Sequence, residues 1–123
     1  MKVEIEAFNT FVYPDILVFC GERKSSGKLT GSLNNPTVVI EILSDSTENK
    51  DRKSKFRYYR SLPSFKEYIL VDQYKPLIES FYRESDTKWD IRTIQGIHET
   101  VKLNSLGISI PLEDIYDGVA FKK

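Results

Sequence analysis

The chain has 123 residues, 40% of them hydrophobic and 29% charged, which describes one globular domain over residues 1–123 and sets it apart from disordered and membrane chains. Eighteen basic and eighteen acidic residues cancel, so the sequence is not that of a protein gripping nucleic acid with its whole surface; any such contact has to rest on a local patch. The single cysteine, Cys20, rules out an intrachain disulfide, and Met1-Lys2-Val3-Glu4 leads into no apolar stretch of signal-peptide type, so a cytoplasmic setting is expected.

Val3-Glu4-Ile5 alternates and predicts a half-buried strand. After Pro14-Asp15, the run Ile16 to Cys20 is apolar throughout and predicts a strand buried on both faces, with Cys20 as a buried thiol. Residues 21–35 are polar and rich in Gly, Ser and Asn, a loop signal. Thr37 to Leu43 is β-branched and apolar, a second central strand carrying one carboxylate, Glu41. Ser44-Asp45-Ser46-Thr47 supplies helix-capping residues, and a helix is expected from Glu48 to Arg60 with Phe56 and Tyr59 facing inward. Tyr68 to Val71 predicts a third strand. Leu77 to Tyr82 and Trp89 to Ile94 predict a hairpin, followed by Thr100 to Leu103, Ile108 to Pro111 and a helical turn at Leu112 to Tyr116. The strand–helix–strand step implies a crossover, and the trailing hairpins extend the sheet antiparallel. The expected class is α/β (α+β), a mixed sheet with one principal helix after the second core strand.

Two carboxylates interrupt apolar strands. Asp15 stands at the mouth of the first and Glu41 lies inside the second, where a buried ion is costly unless it is paired or binds a metal. Together they would make a hard oxygen site suited to Mg²⁺ or Mn²⁺, with substrate phosphate completing the shell, the minimal requirement of a phosphodiesterase. Lys55, on the helix after the Glu41 strand, is placed to orient water or to neutralise charge on phosphate. Asp51, four residues earlier, is placed to hold it. Blander readings stand beside these. Pro-Asp is a common turn pair, Glu41 fits a water-facing edge strand, and Lys55 sits among Lys50, Arg52, Lys53, Arg57 and Arg60 on what reads as a solvated helix face. That cluster, Arg52 and Lys53 above all, also suits a phosphate backbone. His98, the one histidine, has no partner at metal or triad spacing and receives no role. Tyr58, Tyr59, Phe81, Tyr82 and Trp89 read as core or interface.

The segments Tyr13-Pro14-Asp15-Ile16-Leu17-Val18, Asn35 to Ser44, Asp51 to Tyr59, Pro63 to Gln73 and Leu106 to Tyr116 resemble, in collinear order, the Uma2 (DUF820) family of the PD-(D/E)XK nuclease superfamily. The resemblance implies a restriction endonuclease-like fold and a Mg²⁺- or Mn²⁺-dependent endonuclease acting on DNA. It puts the nuclease aspartate on Asp15 and the glutamate on Glu41. The superfamily's lysine two residues further on is replaced by Leu43, and a migrated lysine falls on Lys55. Gln73 matches a polar position near the site. Family members carry a longer N-terminal portion with helices on the sheet, which this chain is expected to lack. Its uncovered sheet face is therefore expected to bury itself against a second copy, as a dimer. A non-catalytic interaction or assembly module with an incomplete site is the alternative, and cleavage of RNA is a weaker one.

Overall fold

β-branched and apolar side chains occupy both faces of Val38–Leu43, the pattern of a strand covered on two sides. A computed structural model describes residues 2–21, 32–43 and 50–119, with side chains for 2–21, 33–43 and 54–119. Its elements are β1 (Lys2–Ile5), a 3-10 turn (Glu6–Phe8), β2 (Thr10–Val12), β3 (Ile16–Val18), β4 (Ser32–Leu33), β5 (Val38–Leu43), α1 (Lys50–Arg60), β6 (Glu67–Asp72), β7 (Leu77–Arg83), β8 (Trp89–Gln95), β9 (Thr100–Leu103), β10 (Ile108–Pro111) and α2 (Leu112–Ile115). The central sheet has the order β3-β5-β6-β7-β8. β5 and β6 are parallel and joined through α1; β3, β7 and β8 each run antiparallel to their neighbours. The expected crossover and the antiparallel extension are both present.

Alternation along the strands sorts side chains onto two faces. Val39, Tyr68 and Leu70 point to the α1 side and meet Tyr59, Leu62 and Phe65, together with Val3, Ile5 and Val12 from a small sheet of order β2-β1-β4. Val38, Ile69 and Ile78 point the other way and meet Val101, Leu103, Leu112 and Tyr116. The helix ends where Arg83, on β7, donates from Nη2 to the carbonyls of Arg60 (2.8 Å) and Leu62 (3.3 Å). Its guanidinium lies 4.8 Å from the centre of the Trp89 ring, a cation placed on the carbonyl end of the helix dipole.

The expected mixed sheet is β3-β5-β6-β7-β8, and two small sheets, β2-β1-β4 and β10-β9, pair beside it among the described residues. Three expectations are corrected. The run from Ile16 is not a strand buried on both faces. It is the three-residue strand β3, at the edge of the sheet and paired among the described residues with β5 alone, with Ile16 47% exposed. Its apolar residues divide between clusters, Leu17 toward the α1 side and Val18 toward the other, so the composition of a central strand arises in an edge strand. Cys20 lies beyond the end of β3 and is exposed, not a buried thiol. The expected loop over 21–35 contains β4, which pairs parallel with β1. The proposed capping residues Ser44 to Thr47, and the expected start of the helix at Glu48, lie outside the described residues.

Candidate active site

The β3–β5 register pairs Val18 with Val38, Leu17 with Val39 and Ile16 with Ile40. One step further, Asp15 faces Glu41. Both belong to the α1 side, since Leu17 and Val39 do. The backbone N–H of Ile42 donates to Asp15 Oδ2 at 2.8 Å, which ties the Pro14–Asp15 corner to β5. Asp15 remains exposed, whereas Glu41 is 5% exposed. A strand position facing the helix is what buries this carboxylate, so the water-facing edge reading of Glu41 fails.

Three side chains converge on Glu41. Lys55 Nζ lies 3.4 Å from Oε1. The Tyr68 hydroxyl, on β6, donates to Oε2. Tyr59, one helical turn after Lys55 on α1, is fully buried. Its hydroxyl lies close enough to feel the site: burial pushes the Tyr59 phenol far above its ordinary range, the charges of Glu41 and Asp15 push it further, and hydrogen bonding toward Glu41 adds to them. Lys55 is thus not merely one charge on a solvated helix face; it supplies the cation beside a buried carboxylate, where an unpaired ion is expensive.

The remaining candidates divide. The side chains of Asp51, Arg52 and Lys53 lie outside the described residues. Gln73 is exposed and does not join the site. It lines a groove of about 320 Å³ with Ile42, Val71 and Val119 on the opposite face of the sheet, because it continues the outward alternation of Ile69 and Val71. His98 Nδ1 is 2.9 Å from Glu113 Oε1 at an exposed surface. Sequence reasoning assigned Tyr59 to the core and Tyr68 only to a strand. The one available signal was tyrosine in place of phenylalanine at buried positions, since a buried phenol calls for a polar partner.

Among the described residues no three His, Cys, Asp or Glu side chains gather at one point. A two-carboxylate site still suits magnesium or manganese, which retain several waters and take one or two carboxylates plus substrate phosphate. The oxygen-only donor set of Asp15 and Glu41, the second of them a buried carboxylate, fits such an ion.

A family model described as "Putative restriction endonuclease" (Uma2) matches residues 1–113. Two relatives from Synechocystis are similar over most of the chain. The protein slr1290 is 34% identical over 98% of this chain and 62% of its own length; sll1609 is 28% identical over 88% of this chain and 61% of its own. The chain therefore spans about three fifths of the curated relatives it matches. The crystal structure of a "putative nuclease belonging to DUF820" from Anabaena variabilis superposes with a TM-score of 0.67 at 16% identity, covering 94% of this chain and 64% of that one. That likeness establishes a shared nuclease-type fold. With residues 1–113 of its 123 matched by the family model, the chain belongs to the Uma2 family.

Proposed function

We propose that the chain is a metal-dependent endonuclease that hydrolyses phosphodiester bonds of DNA. The observation that carries this reading is the placement of Asp15 one register step beyond Ile16–Ile40, opposite Glu41, with Lys55 on the second carboxylate. Asp15 and Glu41 would hold Mg²⁺ or Mn²⁺. Bound there, the ion supplies an activated water and offsets charge gathering on the phosphate. Lys55, released from Oε1, presents an ammonium to the attacked phosphate or to the incoming water. Tyr59 keeps its proton throughout the neutral range, because burial and the two carboxylates hold its phenol far up, and it serves as a donor only. Arg52 and Lys53, on the same helix as Lys55, are assigned the flanking phosphates of the strand. With a net charge of zero, the grip on DNA is local and cleavage falls steeply with added salt only to the extent of those few contacts.

Supercoiled-plasmid nicking in Mn²⁺ and Mg²⁺ tests the proposal. Wild type nicks; Glu41→Gln and Lys55→Ala do not. Absence of metal-dependent nicking and of Mn²⁺ binding in the wild type overturns it. It would leave the second reading, a non-catalytic assembly module, which one observation favours: both oxygens of Glu41 are already engaged, by Lys55 and Tyr68.

For assembly we propose a homodimer of a cytoplasmic protein. No described helix is long and apolar enough to cross a membrane. The back of the sheet is partly covered by β9, β10 and α2, but a groove of about 340 Å³ remains, lined by Ile16, Ile40, Ile42, Val71 and Ile115 among others. Ile16 and Ile42 there are 47% and 53% exposed, an apolar patch suited to a two-fold contact. Sedimentation should show a dimer for wild type and a monomer for Ile42→Lys; a wild-type monomer at micromolar concentration refutes the contact.

A further inference from the structure

We propose that Tyr68 is a positioning residue that makes Glu41 a one-oxygen metal ligand and thereby sets the cation preference of the site. The inference rests on the metal reading above. Tyr68 pairs with Val39 and Leu70 with Glu41, so the phenol and the carboxylate lie on the same face of neighbouring strands. The ring is fully buried and held by aromatic neighbours: Phe56 stacks at 6.0 Å, Tyr59 lies at 5.4 Å, Phe65 at 6.0 Å and Phe81 at 5.9 Å between centroids. A ring clamped in this way has no freedom to swing its hydroxyl elsewhere. Phenylalanine would fill the same space, so the oxygen is explained by its partner, Glu41 Oε2, and not by packing. With Oε2 occupied, Oε1 is the oxygen left toward Lys55, and exchanging that ammonium for a metal requires no movement of Tyr68.

The consequence is selectivity. Magnesium and manganese accept single carboxylate oxygens in an octahedral shell with water, while calcium takes more oxygens and favours two from one carboxylate. A carboxylate fixed through Oε2 withholds the second oxygen and disfavours calcium. Partners that hold a ligating group are commonly worth about 10- to 100-fold in metal affinity.

Calorimetric titration of Mn²⁺ and Ca²⁺ into wild type and Tyr68→Phe tests this, with thermal unfolding of both as the fold control. The expected result is Mn²⁺ binding weakened by about tenfold with Ca²⁺ binding unchanged or tighter, so that the Mn²⁺/Ca²⁺ preference falls. Equal affinities in the two proteins, or equal losses for both cations, overturn the positioning role while the two-carboxylate site stands. Wild type binding no Mn²⁺ instead overturns the metal reading, and this inference with it. A second measurement needs only the wild type: the Tyr68 hydroxyl proton, hydrogen-bonded to a carboxylate, is expected as a downfield resonance that persists when Mg²⁺ is added. Its loss on Mg²⁺ binding means that Oε2 has been taken by the metal, and refutes the proposal without recourse to any variant.

Discussion

Replacing Lys55 with methionine removes the cation from Glu41 and keeps most of the aliphatic stem along α1. At 3.4 Å, two unit charges attract by about 5 kcal/mol at the effective dielectric suited to pairs near a protein surface. The lysine side chain is 36% exposed and the glutamate 6%, so water screens one end of the pair and not the other. Breaking a fully buried pair costs about 3–5 kcal/mol, and an exposed pair is worth about 0–1 kcal/mol. Lys55–Glu41 lies between, and Lys55→Met should lower the unfolding free energy by about 2 kcal/mol in metal-free buffer, read from urea denaturation. In a Glu41→Gln background Tyr68 still finds an oxygen and no buried charge is left behind, so the same substitution should cost less than about 0.5 kcal/mol. Mn²⁺ should then stabilise Lys55→Met more than it stabilises wild type, since no ammonium competes for Oε1. Equal losses in the two backgrounds would refute the claim that Lys55 is the counter-charge of Glu41.

Two further predictions concern the frame around the site. Glu67, fully buried at the start of β6, accepts from the backbone N–H groups of Asn104 (3.0 Å) and Ser105 (2.6 Å) and from the Ser105 hydroxyl; Glu67→Ala should cost about 3 kcal/mol, with Glu67→Gln intermediate, and a loss under about 1 kcal/mol by urea denaturation would refute that role. The Tyr116 hydroxyl donates to the Asp72 carbonyl at 2.8 Å and accepts from the Leu77 N–H at 3.3 Å, and burial above all raises its pKa, with the Asp72 charge adding and the bond to Leu77 opposing. A phenol whose folded pKa lies above its unfolded value of about 10 contributes fully below that pH and loses its contribution as pH rises past it, by about 1.4 kcal/mol per pH unit; urea midpoints between about pH 8 and pH 11 should therefore fall less steeply in Tyr116→Phe than in wild type, and parallel curves would refute the assignment.

What the sequence discloses depends on how far away the partner of each residue lies. The β5–α1–β6 crossover and the β7–β8 hairpin follow from local periodicity, and both are present where alternation and turn residues place them. Glu41 is legible because a carboxylate between Ile40 and Ile42 breaks its own strand's pattern. Tyr68 is not, because an aromatic residue in a β-strand satisfies the local pattern completely; only its hydroxyl is unusual, and the partner of that hydroxyl is 27 residues away. Glu67 is hidden for the same reason. Following Lys66 at the head of a strand it reads as surface charge, and what buries it is a turn 37 and 38 residues downstream. Ile16 to Cys20 misleads in the opposite direction, since an apolar run records contact with apolar neighbours without recording how many strands flank it.

The fold and the site are bound by one feature, the face on which Glu41 points. Pairing changes sense at β5, antiparallel to β3 on one side and parallel to β6 on the other, as it does again at β6. The change at β5 brings the beginning of β3, with Pro14 and Asp15, against the later half of β5, and the next described element after β5 is the helix that carries Lys55 and Tyr59. A slip of one residue in either pairing would turn Glu41 to the back of the sheet and bring Ile40 or Ile42 to face Lys55. The register is held against such a slip by the apolar residues on both faces, Val39 with Leu70 and Tyr59 on one, Val38 with Ile69 and Ile78 on the other. The buried carboxylate, which costs stability wherever it lacks a cation, is thus kept in place by its uncharged neighbours. The core of this domain works as the positioning device of its site, and substitutions at Val39 or Leu70 that leave every polar group untouched should disturb Mn²⁺ binding as well as stability.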